Sequence, residues 1–243
     1  MQPFLIALQF LTCLPVYLSG KPEPQQIGKS LLYYPLVGLL MGGMLGLLSM
    51  ALAGTAPPLQ AALVLVAWIA LTGALHLDGL ADSADAWLGG FGDRERTLAI
   101  MKDPRSGPIA VVVLVALLLL KFVALWVLLA EGKQLVLLLA PLLGRAALLG
   151  LFLTTSYVRP GGLGEALAEH FPRAFARRVL IMVAVLCLAL GESGWLALAV
   201  TAGIGALARR AMCRGIGGTT GDTAGALLEL VECAVLVALA LQV

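Results

Sequence analysis

Charge is scarce in this chain. Of 243 residues, 16 are Lys or Arg and 14 are Asp or Glu, 12% in all, while 60% are hydrophobic. Soluble domains carry about 25% charged residues and about 45–50% apolar ones. The composition therefore excludes an ordinary water-soluble domain and specifies an all-α, polytopic helical bundle in a lipid bilayer. A net charge of +2 is too small to say anything about nucleic acid, what matters being where the charges lie, and no nucleic-acid partner is expected. The four cysteines, Cys13, Cys187, Cys213 and Cys233, form no CxxC pair and no ligand spacing. Isolated in apolar surroundings, they read as packing residues rather than a disulfide framework. The first ten residues lack the basic region of a signal peptide. The apolar stretch 4–18, interrupted by Pro15, is short for a span and reads as an interfacial or re-entrant helix. No internal repeat or soluble segment breaks the chain, so 1–243 is expected to form a single transmembrane domain.

What is present is apolar runs, at roughly 30–52, 58–77, 109–130, 135–153, 178–190, 194–208 and 223–243. The count is about seven spans, and the fifth and sixth are full length only if Arg177-Arg178 and Arg209-Arg210 snorkel. Basic residues sit in alternate loops: Lys21 and Lys29; Arg94, Arg96, Lys102 and Arg105; Arg159, Arg173, Arg177 and Arg178; Arg209, Arg210 and Arg214. The opposite loops hold little beyond Lys133 and Glu192. This asymmetry predicts that the basic loops are cytoplasmic and that Val243 faces the periplasm. Gly38, Gly42, Gly43 and Gly46 within the first long run read as close helix packing.

The most informative segment is His76-Leu77-Asp78-Gly79-Leu80-Ala81-Asp82-Ser83-Ala84-Asp85. On a helix continuing the run 58–77, Asp78, Asp82 and Asp85 fall within roughly 60° of one another. Three like charges near a helix C-terminus, ended by Gly89-Gly90, repel one another and oppose the macrodipole. A cation relieves both problems, and hard oxygen donors suit Mg²⁺ held together with substrate phosphates. The bland alternative is a solvated acidic helix end. His76 falls on the opposite side of that helix, as packing or as a substrate contact.

A second segment, Gly215-Ile216-Gly217-Gly218-Thr219-Thr220-Gly221-Asp222-Thr223, opens onto the last apolar run. Its glycines exceed what an N-cap requires, and free N–H groups at a helix N-terminus suit an anion. Within that last run, Glu229 and Glu232 share a side with Asp222. Carboxylates at such depth are by default functional, the alternative being pairing with Arg145 or Lys121. A third segment, Lys102-Asp103-Pro104-Arg105-Ser106-Gly107, follows a short amphipathic stretch and offers a guanidinium, a hydroxyl and open backbone just before a span. That composition suits phosphate, whereas Arg94 and Arg96 read as lipid contacts.

These three segments resemble the signature segments of bacterial cobalamin synthase, also called adenosylcobinamide-GDP ribazoletransferase, and the likeness runs over essentially the whole chain, the Arg145 region included. The resemblance implies Mg²⁺-dependent displacement of GMP from adenosylcobinamide-GDP by α-ribazole or its 5′-phosphate, the last assembly step of cobalamin, at the inner membrane. Asp78, Asp82 and Asp85 match the acidic motif, Lys102, Asp103, Arg105 and Ser106 the second segment, Asp222 and Glu229 the third. On this reading Asp78, Asp82 and Asp85 hold Mg²⁺. Lys102, Arg105 and the amides of Gly217, Gly218, Thr219, Thr220 and Gly221 stabilise phosphoryl charge. Asp85 or Asp222 accepts the acceptor hydroxyl's proton. His76, Asp103, Ser106, Arg145 and Glu229 complete the expected substrate contacts. The sequence leaves room for a homo-oligomer. A CDP-alcohol phosphotransferase acting on lipid would show Asp-x-x-Asp-Gly-x-x-Ala-Arg, which is missing here. An ion-coupled transporter would place its charges near the midplane between repeated halves.

Overall fold

The computed structural model describes residues 1–243 apart from the side chain of Leu163. It is all helical: α1 Gln2–Leu11, α2 Pro24–Ser30, α3 Tyr34–Ala51, α4 Pro57–Thr72, α5 Leu75–Gly89, α6 Arg94–Ile100, α7 Pro108–Ala130, α8 Val136–Thr154, α9 Leu163–Glu169, α10 Arg173–Leu188, α11 Glu192–Gly215 and α12 Gly221–Ala240. A 3₁₀ turn, Leu31–Tyr33, joins α2 to α3. Among the described residues the only β pairing is a single bridge between Tyr157 and Thr219.

Five stretches are long and apolar enough to cross a membrane: Pro24–Ala51, α7, α8, α11 and α12. The bent pair α4–α5 makes a sixth. The remaining expected span corresponds to α10, whose 16 residues reach about 24 Å, short of a hydrocarbon core of about 30 Å. Helix α8 is the hub, with Arg145, Leu137 and Leu149 all at 0% exposure. Helix α3 lies close against it because Gly38 meets the carbonyl of Pro141 and Gly42 that of Leu137, where a Cβ would come within 2.3 Å of each oxygen. Gly43 and Gly46 touch nothing comparable, so only half of the expected glycine packing is realised. Apolar side chains such as Val111, Val112, Leu119 and Leu120 on α7 are exposed, as suits a face turned to lipid.

One expectation is corrected by the backbone. The run 58–77 is not one helix: Gly73 and Ala74 are both left-handed, at φ 60° and 59°, and the chain bends by 86°. The amide of Cys13 donates to the carbonyl of Leu71 at 2.8 Å, so the segment after α1 seals the break. The three aspartates therefore belong to a separate helix and Asp78 lies in its first turn, not near a C-terminus.

Midway along the bundle sits a charge-balanced cluster. Lys121 of α7 contacts Glu229 at 2.6 Å and Glu232 at 2.8 Å, and Arg145 of α8 pairs with Glu232. All four residues are at most 4% exposed, and Lys121 also lies 5.0 Å from the centre of the Trp68 ring. Removing one member strands a buried charge, which costs about 3–5 kcal/mol. Lys121→Met is therefore expected to lower the melting temperature of the detergent-purified protein markedly, and adding Glu229→Gln should recover part of the loss. An unchanged melting temperature in Lys121→Met would show that the cluster does not brace the bundle.

Candidate active site

Three segments far apart in sequence meet at one end of the bundle. Helix α5 approaches the start of α12 through glycines: a Cβ on Gly79 would lie 2.8 Å from the carbonyl oxygen of Asp222, and one on Gly225 would lie 3.3 Å from the Cα of His76. The loop between α6 and α7 is tied to α5 by Asp85, whose carboxylate accepts the backbone N–H of Gly107 and, at 3.0 Å, that of Ala110. The same loop reaches α12 through Met101, whose Sδ lies 3.8 Å from the Thr220 hydroxyl. Arg94 donates from Nε to the carbonyl of Ile216 at 2.9 Å. That contact makes Arg94 a strut of the glycine turn, where the sequence reading gave it to lipid.

The acidic residues then divide by partner. Asp78, Asp85 and Asp222 all lie close enough to Asp82 to repel it, and Arg159 is the cation that offsets them there. Arg159 forms an ion pair with Asp222 at 2.5 Å. Asp85 spends both carboxylate oxygens on the N-terminus of α7, a positioning job, where a direct part in metal binding or catalysis was expected. Among the described residues, Asp78 and Asp82 are left with no side-chain hydrogen bond or ion pair. No three His, Cys, Asp or Glu side chains there are grouped closely enough to cage a metal ion. Mg²⁺ does not need such a cage, since it commonly keeps several waters and takes one or two carboxylates plus substrate phosphates. The oxygen donors of Asp78 and Asp82 fit that mode.

The glycine turn is more committed than its sequence suggests. Thr219 N–H donates to the Ser156 carbonyl at 2.9 Å and Thr220 N–H to the Thr223 hydroxyl at 2.9 Å. Thr219 and Thr220 are wholly buried, and together with Thr223 they cap α12. Gly218 packs against the Ser156 carbonyl, where a Cβ would lie 2.3 Å from the oxygen. The amides of Thr219 and Thr220 are thus unavailable to an anion, and only Gly217 and Gly221 of the turn are exposed.

The phosphate-type residues of the second segment are open to solvent. Lys102, Arg105 and Ser106 are exposed. Arg105 grips Asp103 bidentately, at 2.9 and 2.7 Å. These hydrogen bonds from Arg105 hold the Asp103 carboxyl down at about 2, so it stays ionised and keeps the guanidinium oriented. Glu229 and Arg145 lie instead in the buried cluster, where both are engaged in ion pairs. Their expected substrate contact is replaced by a bracing one, because each is nearly or wholly buried.

Sequence reasoning missed Arg159 and Tyr157 as parts of the site. Both follow α8, and their place depends on the bridge between Tyr157 and Thr219. Burial pushes the Tyr157 hydroxyl above its ordinary range, opposed by the nearby backbone N–H groups of Gly164 and Gly221. The one usable signal was the basic character of the loop that Arg159 shares with Arg173, Arg177 and Arg178.

A pocket of ≈ 650 Å³, including its open mouth, begins at these acids. Asp78, Gly79, Gly221 and Asp222 line it, together with His76 and an apolar wall from α1, α3, α8 and α9. His76 is thus not on a far face: it is buried beside the same opening.

Residues 3–240 match the family described as cobalamin-5-phosphate synthase. The chain belongs to that family. An adenosylcobinamide-GDP ribazoletransferase of Pseudomonas putida KT2440 is 68% identical over 244 residues, covering 99% of both chains. One of Stutzerimonas stutzeri A1501 is 67% identical over 243 residues, 100% of this chain and 99% of its own. One of Pseudomonas entomophila L48 is 64% identical over the full length of both. No solved structure matches. Family membership favours neither the lipid phosphotransferase nor the transporter.

Because Asp85 anchors the α6–α7 loop, Asp85→Ala should free the backbone amides of Gly107 and Ala110 and speed hydrogen exchange there. Asp85→Asn keeps an acceptor oxygen and should do so less. Equal protection in both variants and the parent protein would show that the loop is held by other contacts.

Proposed function

We propose that this protein is an adenosylcobinamide-GDP ribazoletransferase. The acceptor is α-ribazole or its 5′-phosphate and the products are GMP and adenosylcobalamin or its 5′-phosphate. The observation that carries the reading is the meeting of the three signature segments around two unpartnered carboxylates, Asp78, which lines the pocket, and Asp82, one turn further along α5. The reaction forms one P–O bond and breaks another. A hydroxyl oxygen of the ribazole attacks the phosphorus nearest cobinamide, the pyrophosphate P–O bond opens, and GMP leaves with its electrons. Asp222, on the pocket wall beside Asp78, accepts the hydroxyl proton. Asp85, bound to the α7 N-terminus, is the worse placed of the two candidate bases.

Asp78 and Asp82 would hold Mg²⁺, which when bound supplies charge neutralisation for the pyrophosphate and the departing GMP. Arg105, presented by Asp103, and Lys102 offer cationic donors to phosphate oxygens. Arg159 keeps Asp222 in place and moderates the repulsion among the acids. The loops carrying these groups are the basic ones, which we assign to the cytoplasmic side of the inner membrane, with Val243 toward the periplasm.

With purified protein, adenosylcobinamide-GDP, α-ribazole and Mg²⁺, release of GMP and formation of cobalamin are expected. Chelation should abolish both, and Asp82→Asn should lower turnover at least a hundredfold while the protein elutes and melts normally. Full activity of Asp82→Asn in excess EDTA would sink the metal-assisted reading.

Arg105 gives a separate check. A planar guanidinium grips phosphate with two parallel hydrogen bonds, which an ammonium cannot reproduce. Arg105→Lys should therefore cut turnover about tenfold or more, near the 1.4 kcal/mol of one modest charge-assisted contact. Wild-type turnover in that variant would make Arg105 a simple surface charge.

A further inference from the structure

We infer that the apolar interior of the pocket behind Asp78 and Asp222 receives the flat heteroaromatic base of the ribazole, with its ribose at the acidic mouth and His76 donating to the base's free ring nitrogen. This assignment rests on the ribazole-transfer reading and deepens it.

The wall has the right chemistry for a planar, weakly polar bicycle. Phe10 and Tyr34 stack on one another, with centroids 6.2 Å apart and planes at 21°. Phe152 stacks on Tyr157 at 6.3 Å and 14°. Phe10, Tyr34 and Phe152 all line the pocket, together with Leu148 and Leu167. Aromatic side chains of this kind attract another ring through offset or edge contacts in addition to area burial.

His76 supplies the second, independent observation. It lines the pocket, is 4% exposed, and neither ring nitrogen has a hydrogen-bond partner. A buried polar group left unpaired is destabilising, because it has lost water and gained no partner. A ligand with one accessible ring nitrogen pairs the donor side of the ring by accepting the imidazole N–H. A benzimidazole riboside has one such nitrogen, and the rest of its base is hydrocarbon.

Competing occupants fit less well. Guanine carries donors and acceptors along two edges and needs several polar partners, whereas the pocket interior offers a single unpartnered imidazole. A lipid chain would bury His76 without pairing it. The base placement also serves the chemistry, because a ribose at the mouth lies beside Asp222, the proposed proton acceptor.

The test uses the full-length protein in detergent, with KM measured for each substrate while the other is saturating. Leu148→Trp fills the pocket and should raise KM for α-ribazole at least tenfold, with KM for adenosylcobinamide-GDP within twofold. His76→Phe keeps the ring but loses the donor. The parent protein should prefer the benzimidazole riboside over the matching indole riboside, which lacks the accepting nitrogen, and His76→Phe should erase that preference. A rise in the donor KM alone would assign the pocket to the nucleotide, and no change in either KM would show that no substrate enters it. Should Leu148→Trp fail to elute as a folded species, the His76→Phe preference decides. Should the parent protein show no transfer at all, the functional reading fails, and equilibrium dialysis of α-ribazole against the parent and His76→Phe proteins then decides the pocket by itself. Equal binding to both would overturn the assignment.

Discussion

Everything at the site depends on how closely α5 lies against the start of α12. Two missing Cβ atoms permit it, one on Gly79 facing the Asp222 backbone and one on Gly225 facing His76. In a bilayer, helices gain little from burying apolar surface against each other, so close backbone approach between small residues is a main source of association. Here that approach does more than join two helices. It sets Asp78 and His76 from one helix and Gly221 and Asp222 from the other around a single opening. A larger side chain at either glycine would separate the acids from the pocket as well as loosen the bundle.

The charges are organised in two ways that suit their depths. Deep in the bundle, two cations face two carboxylates and the sum is zero. Such a cluster is tolerable in low dielectric because each ion is met, and it breaks down when one member goes. Around Asp82 the balance is left open: four aspartates, itself included, are offset by one arginine. The excess negative charge there is what a divalent cation and a substrate's phosphates would complete, while the deep cluster is already neutral in charge, although Nε and Nη2 of Arg145 lack partners.

The sequence was most legible where chemistry is carried by contiguous motifs. The acidic decapeptide, the loop 102–107 and the glycine turn could each be picked out by composition, and the basic loops predicted that they share one side. The bridge between Tyr157 and Thr219 and the contact of Arg94 with Ile216 do bring the corresponding loops together. Other features were out of reach for physical reasons. The kink at Gly73 and Ala74 needs an alanine in the left-handed region, which local preference disfavours and only the packing of the segment around Cys13 explains. Arg159 is one arginine among several until a contact 63 residues away identifies it. Glu229 read as functional because carboxylates in membranes usually are, yet its partner Lys121 lies on a different helix and only the assembled bundle shows the pair.

Helix termini explain how so much acid is tolerated in one place. Asp78 lies in the first turn of α5, Asp222 in the first turn of α12, and Asp85 accepts the leading amides of α7. Each sits where the positive end of a helix dipole and unsatisfied N–H groups favour a carboxylate, by roughly 0.3–1 kcal/mol and more when partly buried. The expectation of three acids opposing a helix C-terminus is thus reversed for Asp78, while Asp85, near the end of α5, is offset by the leading amides of α7. Asp82 is the exception. It lies in the middle of α5, half-buried, with no helix terminus and no protein donor to support it, surrounded by the other three acids. Of the four aspartates it gains most from an added cation, and this local imbalance singles it out as the anchor of the proposed Mg²⁺ site.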